Sequence, residues 1–88
     1  MANFKIEYRR VKNDEEIMKD SFMISNVLPE TAAWLRDPSK EDWANNWALE
    51  RLAKRNRAPL ARMVRFGFEI ISIEEVKGRR LKINRRKR

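Results

Sequence analysis

The chain has 88 residues, a formal net charge of +8, and neither Cys nor His. A chain of this length buries only about 60 to 65% of the surface its unfolded form exposes, around a single core. Lack of Cys excludes disulfides and thiolate ligands, and lack of His removes the commonest metal ligand and the commonest general base, so no cofactor is expected and stability must come from apolar packing. Absence of Cys also fits a reducing compartment, and a cytoplasmic protein is the expectation. Residues 1 to 12 alternate apolar and charged side chains instead of building the apolar run of a signal peptide. The least polar stretch, SFMISNVLP at 21 to 29, is too short to span a bilayer, so a soluble protein with no membrane partner is expected.

Charge is distributed unevenly. Residues 1 to 12 carry a net +3, residues 13 to 50 a net −6, and residues 51 to 88 a net +11. An acidic middle followed by a basic end predicts a fold with one positive face, suited to phosphates or to an acidic protein surface.

In chain order, FKIEYRRV at 4 to 11 alternates Phe4, Ile6 and Tyr8 with charged residues, the period of a half-buried strand. Asn13 followed by Asp14, Glu15 and Glu16 reads as an N-cap with acids in a first helical turn, predicting a helix to about Ser25. Pro29 opens a short helix, ETAAWL, which Asp37-Pro38 stops. Ser39 reads as the next cap, with Asp42 at the third position, and SKEDWANNWALERLAKRN forms the longest helix. On it Trp43, Trp47, Ala44, Ala48 and Leu52 share a stripe that assigns both Trp to the core, although Arg51 falls within that stripe; Leu49 and Ala53 point elsewhere. Asn56 ends this helix and Pro59 starts another, PLARMVRF, with Leu60, Met63, Val64 and Gly67 inward and Ala61, Arg62 and Arg65 outward. Gly67 ends it in the left-handed conformation and Phe68 begins a strand.

A three-residue loop, Val76-Lys77-Gly78, would close a terminal hairpin on Glu75 and Arg79. Ile73 would then face Leu81 and Ile71 face Ile83 on one side, with Glu74 facing Arg80 and Ser72 facing Lys82 on the other. A two-residue Lys-Gly loop would instead oppose Ile73 to Lys82. The fold class predicted is α+β: a small three-stranded antiparallel sheet, made of the N-terminal strand and the C-terminal hairpin, packed against three to four helices. Residues 1 to 84 form the domain, and Arg85, Arg86, Lys87 and Arg88 a basic tail.

The order from 39 to 85, with helix, turn, PLARMVRFG, then FEIISIEEV and RRLKIN joined by KGR, resembles the second half of a winged helix-turn-helix domain. The strand before the helices and the length of the Trp-bearing helix depart from that family. The resemblance implies DNA binding, with Arg57 at the turn, Arg62 and Arg65 on the recognition helix, and Lys77, Arg79 and Arg80 at the wing. Independently of it, residues 51 to 68 carry six bases and no acid, and seven more lie between Arg79 and Arg88. Arg donates paired bonds to phosphate and stacks on bases. The candidate binding residues are therefore Arg57, Arg62, Arg65, Lys77, Arg79, Arg80, Lys82 and the tail Arg85 to Arg88, with nucleic acid (DNA or RNA) as partner and no catalysis.

Acidic clusters suggest no enzyme, because Asp14-Glu15-Glu16 and Glu41-Asp42 both sit at expected helix starts, where acids stabilise the dipole. Glu75-Val76-Lys77 matches the E-x-K fragment of a nuclease metal site but lacks the partner Asp. A different class of function fits the same surface: a small phage-type inhibitor or adaptor, such as an anti-CRISPR protein, that covers an acidic protein or nucleoprotein partner.

Overall fold

The computed structural model describes residues 1–76. Strands β1 (Ala2–Lys12), β2 (Glu15–Val27) and β3 (Phe68–Val76) form an antiparallel sheet in the order β2-β1-β3. Between β2 and β3 come α1 (Pro29–Arg36), a 3₁₀ turn (Pro38–Lys40), α2 (Glu41–Arg55) and α3 (Leu60–Arg65). The architecture is α+β, as expected, but the edge strand β2, which pairs with β1 on the side away from β3, is the segment the sequence assigned to a first helix. The return strand predicted after Gly78 lies outside the described residues.

The helix expected from Asn13 to Ser25 does not form, and the chain turns back on β1 instead. Asn13 and Asp14 take positive φ angles of 54° and 65°, and Lys12 pairs with Glu15 across them. These are the signs of a two-residue primed turn, whose twist matches that of paired strands and which Asn and Asp tolerate. The apolar residues that follow, Ile17, Met18, Phe22, Met23, Ile24 and Val27, scatter around a helical wheel and form no stripe. Paired with β1, Phe22, Ile24 and Val27 do find a face, because Phe22 lies opposite Ile6 and Ile24 opposite Phe4, while Ile17, Met18 and Met23 stay exposed. A register shift between Ala2 and Phe4, with Asn26 at φ 60°, returns Val27 to the same side. One extra residue in a strand restores inward facing after an interval of three.

The core lies between that sheet face and the helices. Phe4, Ile6, Tyr8, Phe22 and Val27 pack against Ala32 of α1, Ala48, Leu52 and Ala53 of α2, and Met63 of α3. Tyr8 meets Phe22 edge-on, with ring centroids 5.9 Å apart. Burial pushes its phenol above the usual 10.0, and nearby Asp20 pushes the same way against the opposing pull of Arg55.

A second shift, between Glu7 and Tyr8 of β1, makes both Ile70 and Ile73 pack on the core. Ile71 is thereby left exposed, so the expected sharing of one face by Ile71 and Ile73 does not hold. Nor does Ser39 cap the long helix: Asp37 accepts from the Ser39 amide (2.9 Å) and hydroxyl (2.8 Å), shaping the 3₁₀ turn, and α2 starts at Glu41. Those two bonds hold the Asp37 carboxyl below its usual 3.8, with Lys40 assisting.

Two left-handed residues set the path at the basic end. After α2, the Ala58 amide donates to the Ala53 carbonyl (3.0 Å) and the Arg57 amide to the Lys54 carbonyl (3.1 Å). This is the paired-bond helix ending in which Gly is the usual left-handed residue; here Arg57 holds it, at φ 53°. After α3, Gly67 does so at φ 89°, and its carbonyl accepts from the Val11 amide at 2.9 Å. A Cβ on Gly67 would drive into the Val11 carbonyl oxygen, so no larger residue fits this close approach of β1. α3 is short: Met63 is buried and Leu60 half-buried, but Val64, expected inside, is 57% exposed.

Candidate nucleic-acid interface

The second half of α2, the turn and α3 carry Arg51, Lys54, Arg55, Arg57, Arg62 and Arg65, all exposed. Ridge spacing explains why. On α2 the core stripe takes Ala44, Ala48 and Leu52, and Arg51 and Arg55, each one position before or three after a core residue, emerge on the flank nearest β2. On α3 the inward Leu60 and Met63 leave Arg62 and Arg65 outward. Among the described residues none of the six bases forms an ion pair; the three pairs found are Arg9–Glu16, Arg9–Glu69 and Arg36–Glu75. Arg51 instead lies over the Trp47 ring at 5.4 Å and Arg55 over Phe22 at 4.9 Å. Such contacts fix a guanidinium plane and leave its charge uncompensated.

Arg10 joins this end of the molecule and was not singled out by the sequence. Its Nε donates to the Phe66 carbonyl (2.8 Å) at the end of α3, while the guanidinium faces the rings of Phe66 and Phe68 at 5.4 and 5.7 Å. Its strand position gave no sign of this, because the contact crosses 56 residues of chain.

The opposite side of the sheet is charge-balanced. With Phe4, Ile6 and Tyr8 inward, Lys5, Glu7 and Arg9 face outward beside Lys19, Glu69 and Glu74. Arg9 Nε donates to Glu69 at 3.0 Å and the Ser72 hydroxyl to Glu7 at 2.8 Å. Positive charge among the described residues is thus concentrated on the helical side.

The tryptophans are where the structure departs most from the sequence reading. Trp47 is half-buried against the core, but Trp43 is 36% and Trp34 45% exposed. Trp34 and Trp43 meet edge to face at 5.1 Å; Trp43 and Trp47 lie nearly parallel, 6.4 Å apart. Lys40 Nζ sits 4.5 Å from the Trp34 ring. The stripe assigned wholly to the core therefore divides: its alanines and leucine enter, and its rings lie along the edge. Residue spacing could not separate the two, because only about 40° of helical rotation lies between exposed Trp43 and half-buried Trp47, and about 60° between Trp47 and buried Ala44.

Of the predicted site residues, Arg57, Arg62 and Arg65 lie on the stretch made by the second half of α2, the turn and α3, with Arg51, Lys54 and Arg55. Lys77, Arg79, Arg80, Lys82, Arg85, Arg86, Lys87 and Arg88 lie outside the described residues. The acids are dispersed: Asp14, Glu15 and Glu16 lie on the β1–β2 turn and edge, and Glu41 and Asp42 in the first turn of α2. Glu75 binds Arg36 through two bonds of 2.8 Å, which also raises the guanidinium pKa. Among the described residues no group of His, Cys, Asp or Glu is arranged to hold a metal ion, and no helix is long and apolar enough to cross a membrane. Comparison of the chain with models of known families, with curated proteins and with solved structures finds no match.

Proposed function

We propose that this protein binds nucleic acid without catalysis, through the basic unit formed by the second half of α2, the turn and α3. The observation that carries this reading is the run of six exposed bases from Arg51 to Arg65, with no acid among them and no ion pair to a described residue. An α3 of six residues is about 9 Å long, too short to lay several turns in a groove. Phosphate contact rather than helix readout of bases is accordingly the mode proposed, with Lys77, Arg79, Arg80, Lys82 and the terminal bases adding attraction. The winged-helix resemblance contributes the helix-turn-helix order and no more. A reducing, cytoplasmic setting is part of the same proposal, in keeping with a chain that has no Cys.

Filter binding across single- and double-stranded DNA and RNA tests this. If the six bases meet phosphates, affinity falls by roughly 300-fold for a single strand and about 2,000-fold for a duplex between about 50 and 200 mM salt. Arg62→Ala combined with Arg65→Ala lowers affinity and leaves the melting temperature nearly unchanged. No retention of any nucleic acid at low salt, together with recovery of one protein partner from cells, would overturn the reading in favour of an inhibitor or adaptor.

A further inference from the structure

Three shallow clefts run end to end along the outer edge of the helical layer. One, of about 440 Å³, lies between Phe22 and Ile24 of β2 and the side chains of Arg51, Lys54 and Arg55. A second, of about 220 Å³, shares Ile24, Ser25 and Arg51 with the first and is walled by Trp47. The third, of about 350 Å³, shares Thr31 with the second and is lined by Trp34, Trp43 and Glu30. Together they make one trough, basic at one end and aromatic at the other. Its α2 wall, Trp43, Trp47, Arg51 and Arg55, repeats every fourth residue, so the side chains form one row on a helix about 22 Å long.

We infer that this trough is a site for single-stranded nucleic acid, whose bases stack on Trp34 and Trp43 while its phosphates meet Arg51, Lys54 and Arg55. The inference rests on the nucleic-acid reading above and names the form of the ligand. Two half-exposed indoles side by side are not needed for the core, which Trp47 alone joins. Aromatic faces interleaved with cations favour unpaired strands, because a duplex keeps its bases stacked on one another and offers no face to an indole. Glu30 at the aromatic end repels phosphate and keeps the backbone toward the basic end; its carboxylate can accept from the exocyclic amine of a base. Lys40, whose Nζ lies over one face of Trp34, supplies a further cation at the aromatic end and leaves the other face of that ring for a base.

Intrinsic tryptophan fluorescence provides the assay, with a single strand and a duplex of about 12 nucleotides as probes at about 100 mM salt. The parent should bind the single strand more tightly than the duplex, with the emission quenched. Trp34→Ala with Trp43→Ala should weaken single-strand binding, read by filter retention, by roughly 25-fold or more and leave duplex binding within about threefold, since each stacked base is worth about 5- to 150-fold. Trp34→Leu, which keeps an apolar side chain at the more exposed position, should weaken it by about fivefold or more even if the double variant does not fold. Equal binding of both probes by the parent, or Trp variants that bind the single strand as the parent does, would overturn the inference and leave the basic interface standing. No binding of either probe, even at low salt, would overturn both.

Discussion

Arg57→Gly should make the protein more stable and a weaker binder. Arg57 occupies the left-handed position at the end of α2, φ 53°, while the two backbone bonds around it are fully formed. A side chain there costs roughly 1 to 2 kcal/mol in contact between Cβ and the backbone. Glycine removes that cost but loses about 0.4 to 1 kcal/mol through a freer unfolded chain. The net gain lies between about 0 and about 1.6 kcal/mol, about 0.8 at the midpoint, or roughly 3 to 6 °C in melting temperature for a domain this small. If Arg57 touches a phosphate, the same change should reduce the slope of log affinity against log salt by about 0.7 for a single strand. Thermal melts followed by circular dichroism give the first quantity and a salt series the second. Arg57→Asn separates them, because Asn tolerates the conformation without the charge. A lower melting temperature for Arg57→Gly would refute the account of the turn, and an unchanged salt slope would remove Arg57 from the interface. The wider meaning is that a position where glycine is favoured carries a cation, a local cost of the kind that collects at functional sites.

Gly67→Ala should act in the opposite direction. With φ at 89° and a Cβ directed into the Val11 carbonyl oxygen, strain plus loss of the Val11–Gly67 bond amounts to about 2 to 4 kcal/mol, and a fall in melting temperature below about 4 °C would contradict this. Leu52→Ala, at a side chain only 1% exposed, should cost about 2 to 5 kcal/mol in urea unfolding, against within about 0.5 for Val64→Ala on the surface. Asp14→Gly should stabilise the β1–β2 turn by a few tenths to about 1 kcal/mol, because glycine accepts positive φ freely. A first helical turn at that position would instead lose stability, so the sign alone distinguishes the two structures. The Asp37 carboxyl, held below 3.8 by its bonds to Ser39, contributes stability above that pH and loses it as pH falls through the lowered value. Melting temperatures measured on acidification should therefore fall less for Asp37→Asn than for the parent.

The residues themselves determined what local chemistry can fix. Alternation in FKIEYRRV set β1, Pro29 and Asp37-Pro38 bounded α1, Asn56 ended α2, and Gly67 turned the chain into β3, since each acts through its own φ, its own missing amide or its nearest neighbours. The concentration of bases after Glu50 was equally plain. Tertiary structure decided three things that local pattern could not. The segment after Asn13 carries helix-start residues and a primed turn at once, and pairing with β1, which buries Phe22 and Val27 and partly buries Ile24, selects the strand. Register shifts that sequence does not announce chose Ile70 over Ile71 for the core. Finally, a helical stripe states which residues are adjacent but not how far around the helix its neighbours reach. Because the sheet and α1 cover only the alanine side of α2, Trp43, expected in the core, stays at the surface beside Trp34, and with half-buried Trp47 and with Arg51 it walls a trough.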